Sequence, residues 1–140
     1  MKDVRIADAQ PWQAQHWKTI VSCYSRSPWF EFYKDELEIL YKTRYEALMD
    51  FNRACFEWVV KRLRLPVEIS LTESYKPAYS SEEEVDWRGR FSPGRRVQLD
   101  EVSPVRYRQV FEERTGFIPG LSVLDLIFCT GKEAIKYIRS

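Results

Sequence analysis

Residues 17–41 read WKTIVSCYSRSPWFEFYKDELEILY. Trp17, Ile20, Val21 and Tyr24 fall at i, i+3, i+4 and i+7, which puts them on one face of a helix. Phe30, Tyr33, Leu37, Leu40 and Tyr41 make a second stripe of the same kind. Ser27-Pro28 stands between them. A residue before proline avoids the α conformation, so the stretch predicts two helices rather than one long one. Ser27 is expected to cap the second, with Pro28 at its first position. The helical reading of the chain rests on these two stripes.

Outward from them, Pro11 suits the first turn of the first helix, and VRIA at 4–7 is a short strand candidate. A third and longest helix is expected over roughly 44–65. Leu48, Cys55, Phe56, Val59 and Leu63 would line it, with Asn52 on the same face, and Pro66 would end it. VEISL at 67–71 alternates Val67, Ile69 and Leu71 with Glu68 and Ser70, the pattern of a half-buried strand. Pro66 argues for an edge position. Residues 73–103 carry SSEEE and DWRGRFSPGRR and form the longest weakly structured stretch. Loops of that length in a compact domain are usually functional or disordered. Helical signal returns in VRYRQVFEERTG, closed by Gly116, and then in LSVLDLIF with Ser122 near its start. KEAIKYI is a last short helix after Gly131. The expected class is α+β, mainly helical, with short strands near 4–7 and 67–71, in a single domain over 1–140.

A chain of 140 residues can bury a core without staples. Aromatic residues are 15% of it, with five tryptophans, more than a small core needs, so some rings are expected to line a groove. The formal net charge of +1 gives no reason to expect nucleic acid. No stretch is long and apolar enough for a membrane span, and MKDVRIADAQ has no signal-peptide core, so a cytoplasmic location is expected. Cys23, Cys55 and Cys129 are widely spaced and read as reduced, buried thiols. One histidine and scattered cysteines point to no metal. There is no GxxxxGK[ST] or GxGxxG, so no phosphate cradle and no cofactor are expected.

His16 flanks the first stripe. It is either a half-buried histidine with a satisfied nitrogen, or a general base or polar anchor in a pocket. Cys23 cannot serve it as a nucleophile, because two helical turns separate them by roughly 10 Å where contact at about 3 Å is needed. Cys55 or Cys129 could approach it only through the fold. Asp86 and Arg88, two apart, point the same way if extended, and the Arg88 guanidinium could hold a carboxylate or phosphate. Glu82, Glu83 and Glu84 read as a solvated run, and Arg95-Arg96 as a weak anion signal. Tyr107, Gln109 and Phe111 alternate at an expected helix start. Asp125 is a lone acid in an apolar helix and needs a partner, of which an arginine is the simplest.

The string QPWQAQHWKTIVSCYSRSPWFEFYKDEL resembles the WbqC-like proteins. So do DFN at 50–52, DWRGRFSP at 86–93, YRQVF at 107–111 and GFIPGLSVLDLIF at 116–128. The resemblance places His16, Trp12, Gln13, Trp17, Tyr24, Ser27, Pro28, Glu31 and Tyr33 in the strongest block. Asp86 and Arg88 match an Asp-x-Arg pair, and Tyr107, Gln109, Phe111 and Asp125 a C-terminal block. Gly120 stands where asparagine is expected, and Trp87 replaces an aliphatic residue. Relatives carry a preceding segment with an aromatic-rich strand and a basic hairpin, so these residues are expected to be the later part of a longer protein or a shortened variant.

The resemblance implies a protein of bacterial surface-polysaccharide (O-antigen) synthesis that modifies a sugar, by acyl or aminoacyl transfer. The implied partner is a sugar or nucleotide-sugar substrate, together with the missing N-terminal segment or a protein partner. His16 would be the base, Asp86 or Asp125 would orient a partner, and Arg88 would hold an anion. Trp12 and Trp17 would stack on a ring. Gln13, Tyr24, Glu31, Tyr33, Tyr107 and Gln109 would complete the binding set, under a lid made by 73–103. The alternative is a non-catalytic module that binds a glycan or a protein of the same pathway.

Overall fold

A computed structural model describes residues 4–7, 10–77, 86 and 105–139. The chain divides into two compact units, one of residues 1–66 with 105–140 and one of residues 67–104.

The first unit is built from helices. α1 spans Trp12–Tyr24, α2 Phe30–Lys42 and α3 Leu48–Leu63. After the second unit come α4 at Glu112–Thr115 and α5 at Val123–Thr130, then a 3-10 turn at Gly131–Glu133 and α6 at Ala134–Arg139. Both stripes of the opening stretch face inward. Phe30, Tyr33 and Leu37 of α2 are buried, and Trp17, Ile20, Val21 and Tyr24 of α1 pack against them. The centre is the pair Phe30 and Phe128, both 0% exposed. Their rings meet edge to face with centroids 5.2 Å apart. Trp29 N–H donates to Phe128 O at 3.0 Å, tying the start of α2 to α5.

The helix boundaries depart from expectation in ways that backbone hydrogen bonding explains. Ser27 does not cap α2. Its hydroxyl donates to Tyr24 O at 2.7 Å, closing α1 instead, and α2 begins three residues later with Trp29 in the cap position. α3 stops at Leu63 because Arg64 turns left-handed at φ 51°, and Leu65 N–H reaches back to Val60 O at 3.1 Å. Leu65 precedes Pro66 and could not have continued the helix. Along α3 the inward face holds Cys55, Trp58, Val59 and Leu63, while Phe56 is 54% exposed. Phe56 lies one position past Cys55 and falls off that face.

The two expected strands do not form, so the α+β class is corrected to an all-helical one for the described residues. Near 4–7 there is a single antiparallel bridge, Arg5 to Ala47. Ile6 N–H donates to Glu46 O and Leu48 N–H to Val4 O, each at 2.9 Å. The partner segment then turns into α3, and a helix offers no ladder to extend. Residues 67–71 have no strand pairing, and Val67, Ile69 and Leu71 are all exposed. Alternation alone makes no strand where nothing covers its apolar side. In the second unit the described residues, 67–77 and 86, are neither helix nor strand and every one is exposed.

VRYRQVFEERTG is helical only over Glu112–Thr115. Residues 105–109 are irregular, with Tyr107 and Gln109 turned in and Arg106 and Arg108 turned out. The expected ends are otherwise seen. Gly116 closes α4 at φ 72°, and Ser122 Oγ accepts from Leu124 N–H at 3.3 Å to cap α5.

Gly131 follows α5 at φ 59°, and a Cβ there would lie 2.4 Å from the Trp29 ring. Gly116 has positive φ and open space around it. Gly131→Ala is therefore expected to cost about 2–6 kcal/mol, from overpacking added to positive-φ strain, and Gly116→Ala about 1–3 kcal/mol from positive-φ strain alone. Urea unfolding midpoints check this, and equal losses in the two variants would refute it.

Candidate functional site

The first two turns of α1 carry the exposed chemistry. Trp12 and His16 are four apart and share a face. The imidazole meets the Trp12 ring edge to face with centroids 5.4 Å apart, and Trp12 in turn meets Phe51 of α3 at 5.0 Å. His16 is exposed. These three rings border a cavity of about 620 Å³, completed by Arg5, Gln10, Asn52 and small apolar groups. The Arg5–Ala47 bridge brings residues 5–7 across the start of α3 to form one wall.

A second cavity, about 610 Å³, lies on the other side of Trp12, with Gln13, Trp17, Tyr41 and Lys42 among its lining. Its polar groups are largely engaged. Gln13 Nε2 donates to Thr43 O at 2.6 Å, Trp17 Nε1 donates to Glu38 Oε1 at 3.1 Å, and Lys42 pairs with Glu38 at 3.1 Å. The Trp17 ring is stacked between Phe30 and Tyr41, at 6.3 and 5.9 Å. Trp17 thus joins α1 to α2 and borders this cavity by its edge.

Asp125 is buried in α5 at 3% exposure. The expected arginine partner is absent among the described residues. The Tyr107 hydroxyl donates to Asp125 Oδ2 at 2.8 Å, Cys129 Sγ lies 3.9 Å from the same oxygen, and the Tyr24 phenol is close enough to feel the carboxylate's charge. A phenol suits this place better than a guanidinium, because its neutral hydroxyl solvates the carboxylate without burying a second charge. Gln109 is buried nearby in sequence, and both ends of its amide are taken by one residue. Nε2 donates to Ile118 O at 2.7 Å, and Oε1 accepts from Ile118 N–H at 2.9 Å. That clamp holds the GFIPG turn.

The sequence-derived candidates therefore fall into separate places. His16 and Trp12 share the first cavity; Gln13 and Trp17 border the second with Trp12. Tyr24, Tyr107 and Asp125 form the buried cluster, about 12 Å along α1 from His16. Tyr33 packs in the core, edge-on to Trp58, and Glu31 pairs with Lys34 on the surface at 3.6 Å. Asp86 is exposed, while Arg88, Arg95, Arg96 and most of 73–103 lie outside the described residues. Arg5, Gln10 and Phe51 belong to the first cavity and were not singled out from the sequence. Arg5 arrives through a bridge to a residue 42 positions away, which has no local signature. Among the described residues no three histidine, cysteine or acidic side chains gather as metal ligands. None of the helices there is long and apolar enough to cross a membrane.

Burial sets the electrostatics of the interior. Desolvation first, and the Asp125 charge second, push the Cys129 thiol up to about 11, so it is a poor nucleophile at neutral pH. Burial and the Asp125 carboxylate together raise Tyr24 and Tyr107 well above the usual phenol range. Tyr33 and Tyr41 are also raised, chiefly by burial.

The sequence profile of the WbqC-like protein family matches residues 1–88. The match contains α1, α2, α3 and the first cavity, whereas YRQVF and GFIPGLSVLDLIF lie beyond it. No curated protein and no solved structure matches the chain.

The raised tyrosines fix the sign of an alkaline effect. Above pH about 10 the unfolded chain loses phenol protons that the folded chain keeps, so stability falls as pH rises. A spectrophotometric titration is expected to show Tyr24 and Tyr107 ionising only in a late step that coincides with unfolding. Tyr107→Phe, which removes a hydrogen bond to a charged group, is expected to cost about 1.5–3 kcal/mol. A non-cooperative phenol titration with no late step would contradict the burial of these hydroxyls.

Proposed function

The chain belongs to the WbqC-like protein family, and on that footing we propose that the cavity beside His16 binds a sugar ring for modification during bacterial surface-polysaccharide synthesis. The observation that carries this reading is the cavity of about 620 Å³ bordered by Trp12, Phe51 and the chain's one histidine. Aromatic walls match the apolar C–H face of a pyranose, and Gln10 and Asn52 offer donors and acceptors for its hydroxyls. The reaction that suits this setting is acyl or aminoacyl transfer. His16 would take the proton from a sugar hydroxyl or amine as that atom bonds to the acyl carbon, and the donor's leaving group would depart with the released electron pair. Asp86 and Arg88 remain candidates for orienting and anion-holding roles.

A specific observation favours a second reading, a non-catalytic glycan-binding module. Among the described residues the His16 ring has an aromatic neighbour in Trp12 but no hydrogen-bonded carboxylate to orient it. General bases are normally held by such a partner. The two readings separate on one pair of variants, measured by calorimetric binding to sugars and amino sugars and by acyl transfer to the same compounds. Trp12→Ala is expected to weaken binding by about tenfold under either reading. His16→Ala is expected to lower transfer by at least about 100-fold under the first reading, with binding little changed. Full transfer activity in His16→Ala removes the base role, and unchanged binding in Trp12→Ala removes the cavity from both readings.

A further inference from the structure

The cavity beside His16 also carries a charge preference. Among the described residues its polar lining consists of the Arg5 guanidinium, the His16 imidazole and the carboxamides of Gln10 and Asn52. The chain as a whole is almost balanced, with 22 basic and 21 acidic residues. Several other arginines are neutralised in place. Arg53 pairs with Glu57 at 2.7 Å, Arg62 with Glu36 at 3.1 Å, Arg106 with Glu112 at 2.8 Å and Arg108 with Glu113 at 3.0 Å. The Arg5 side chain has no such ion pair among the described residues. Its backbone is nonetheless fixed, bridged to Ala47 and flanked by the two 2.9 Å hydrogen bonds to the start of α3. A guanidinium launched from a held backbone, beside aromatic walls and without an ion pair among the described residues, is a fork for a planar or tetrahedral oxyanion.

Resting on the sugar-binding reading above, we propose that this cavity selects a sugar bearing an oxyanion, a carboxylate or a phosphate, and that Arg5 is the residue that reads it. The ring lies against Trp12 and Phe51 while its oxyanion meets Arg5, so recognition has an apolar point and a charged point. A neutral sugar makes only the first contact. An amino sugar brings a like charge to the Arg5 guanidinium.

The test compares glucose, glucuronate and glucose 1-phosphate as ligands of the full 140-residue chain, at low ionic strength, in the wild type and in Arg5→Gln and Arg5→Lys. Arg5 is exposed, so circular dichroism is expected to show the fold intact in both variants. At least one anionic sugar is expected to bind about tenfold tighter than glucose, the scale of one charge-assisted contact. Arg5→Gln is expected to bring that sugar within about twofold of glucose, both measured in the same variant, and Arg5→Lys to restore part of the preference. Which anion gains assigns carboxylate or phosphate. Equal binding of all three sugars by the wild type overturns the charge preference and leaves the ring-binding reading standing. An anion preference that survives Arg5→Gln overturns the role of Arg5. No binding of any of the three overturns the cavity reading and this inference with it.

Discussion

The burial of one carboxylate constrains much of this fold. Asp125 sits at 3% exposure in an otherwise apolar helix. A charge taken out of water costs several kcal/mol unless hydrogen bonds replace its hydration. Asp125 gets its short hydrogen bond from the Tyr107 hydroxyl, with the Cys129 thiol and the Tyr24 phenol beside it. The requirement therefore brings together the end of α1, the irregular segment before α4, and α5, which are distant in sequence. With α5 anchored there, Phe128 reaches Phe30 and closes the core. The polar cluster sets where the helices meet, and the aromatic core supplies the favourable burial.

That arrangement divides α1 into two ends with different tasks. Its last turn is committed to Asp125 through Tyr24, and its middle to α2 through Trp17. Its first two turns, with Trp12 and His16, are left to border cavities on both sides of the Trp12 ring. About 12 Å along the helix separates His16 from Tyr24, too far for direct proton transfer. Substitutions at the buried end are expected to act on stability, and under the proposed function those at the open end act on binding.

Much of this was legible in the sequence because it is periodic. The stripes of α1 and α2, the Ser122 cap and the Gly116 stop are local patterns, and each is realised. The misreadings come from long-range partners that no local pattern reports. VEISL alternates like a strand but pairs with no neighbour among the described residues. Val4 to Ala7 do find a neighbour, but it becomes α3 after a single bridge. Asp125 was expected to find an arginine, and the Tyr107 hydroxyl took the place. Of the candidate site, His16 was visible at the edge of a stripe and Trp12 through the family resemblance. Arg5 and Phe51, which complete the cavity, were not, because only the fold brings them there.

The central claim is that the open end of α1 is where a sugar ring binds, and the chain has one histidine to report on it. The direct measurement is the NMR signal of the His16 ring protons while sugars are titrated into the intact chain. The account predicts a saturable shift of those signals, matched by indole signals of Trp12, with the Tyr24 and Tyr107 rings unmoved. A saturable binding event that leaves His16 and Trp12 untouched would place the ligand elsewhere and contradict the account.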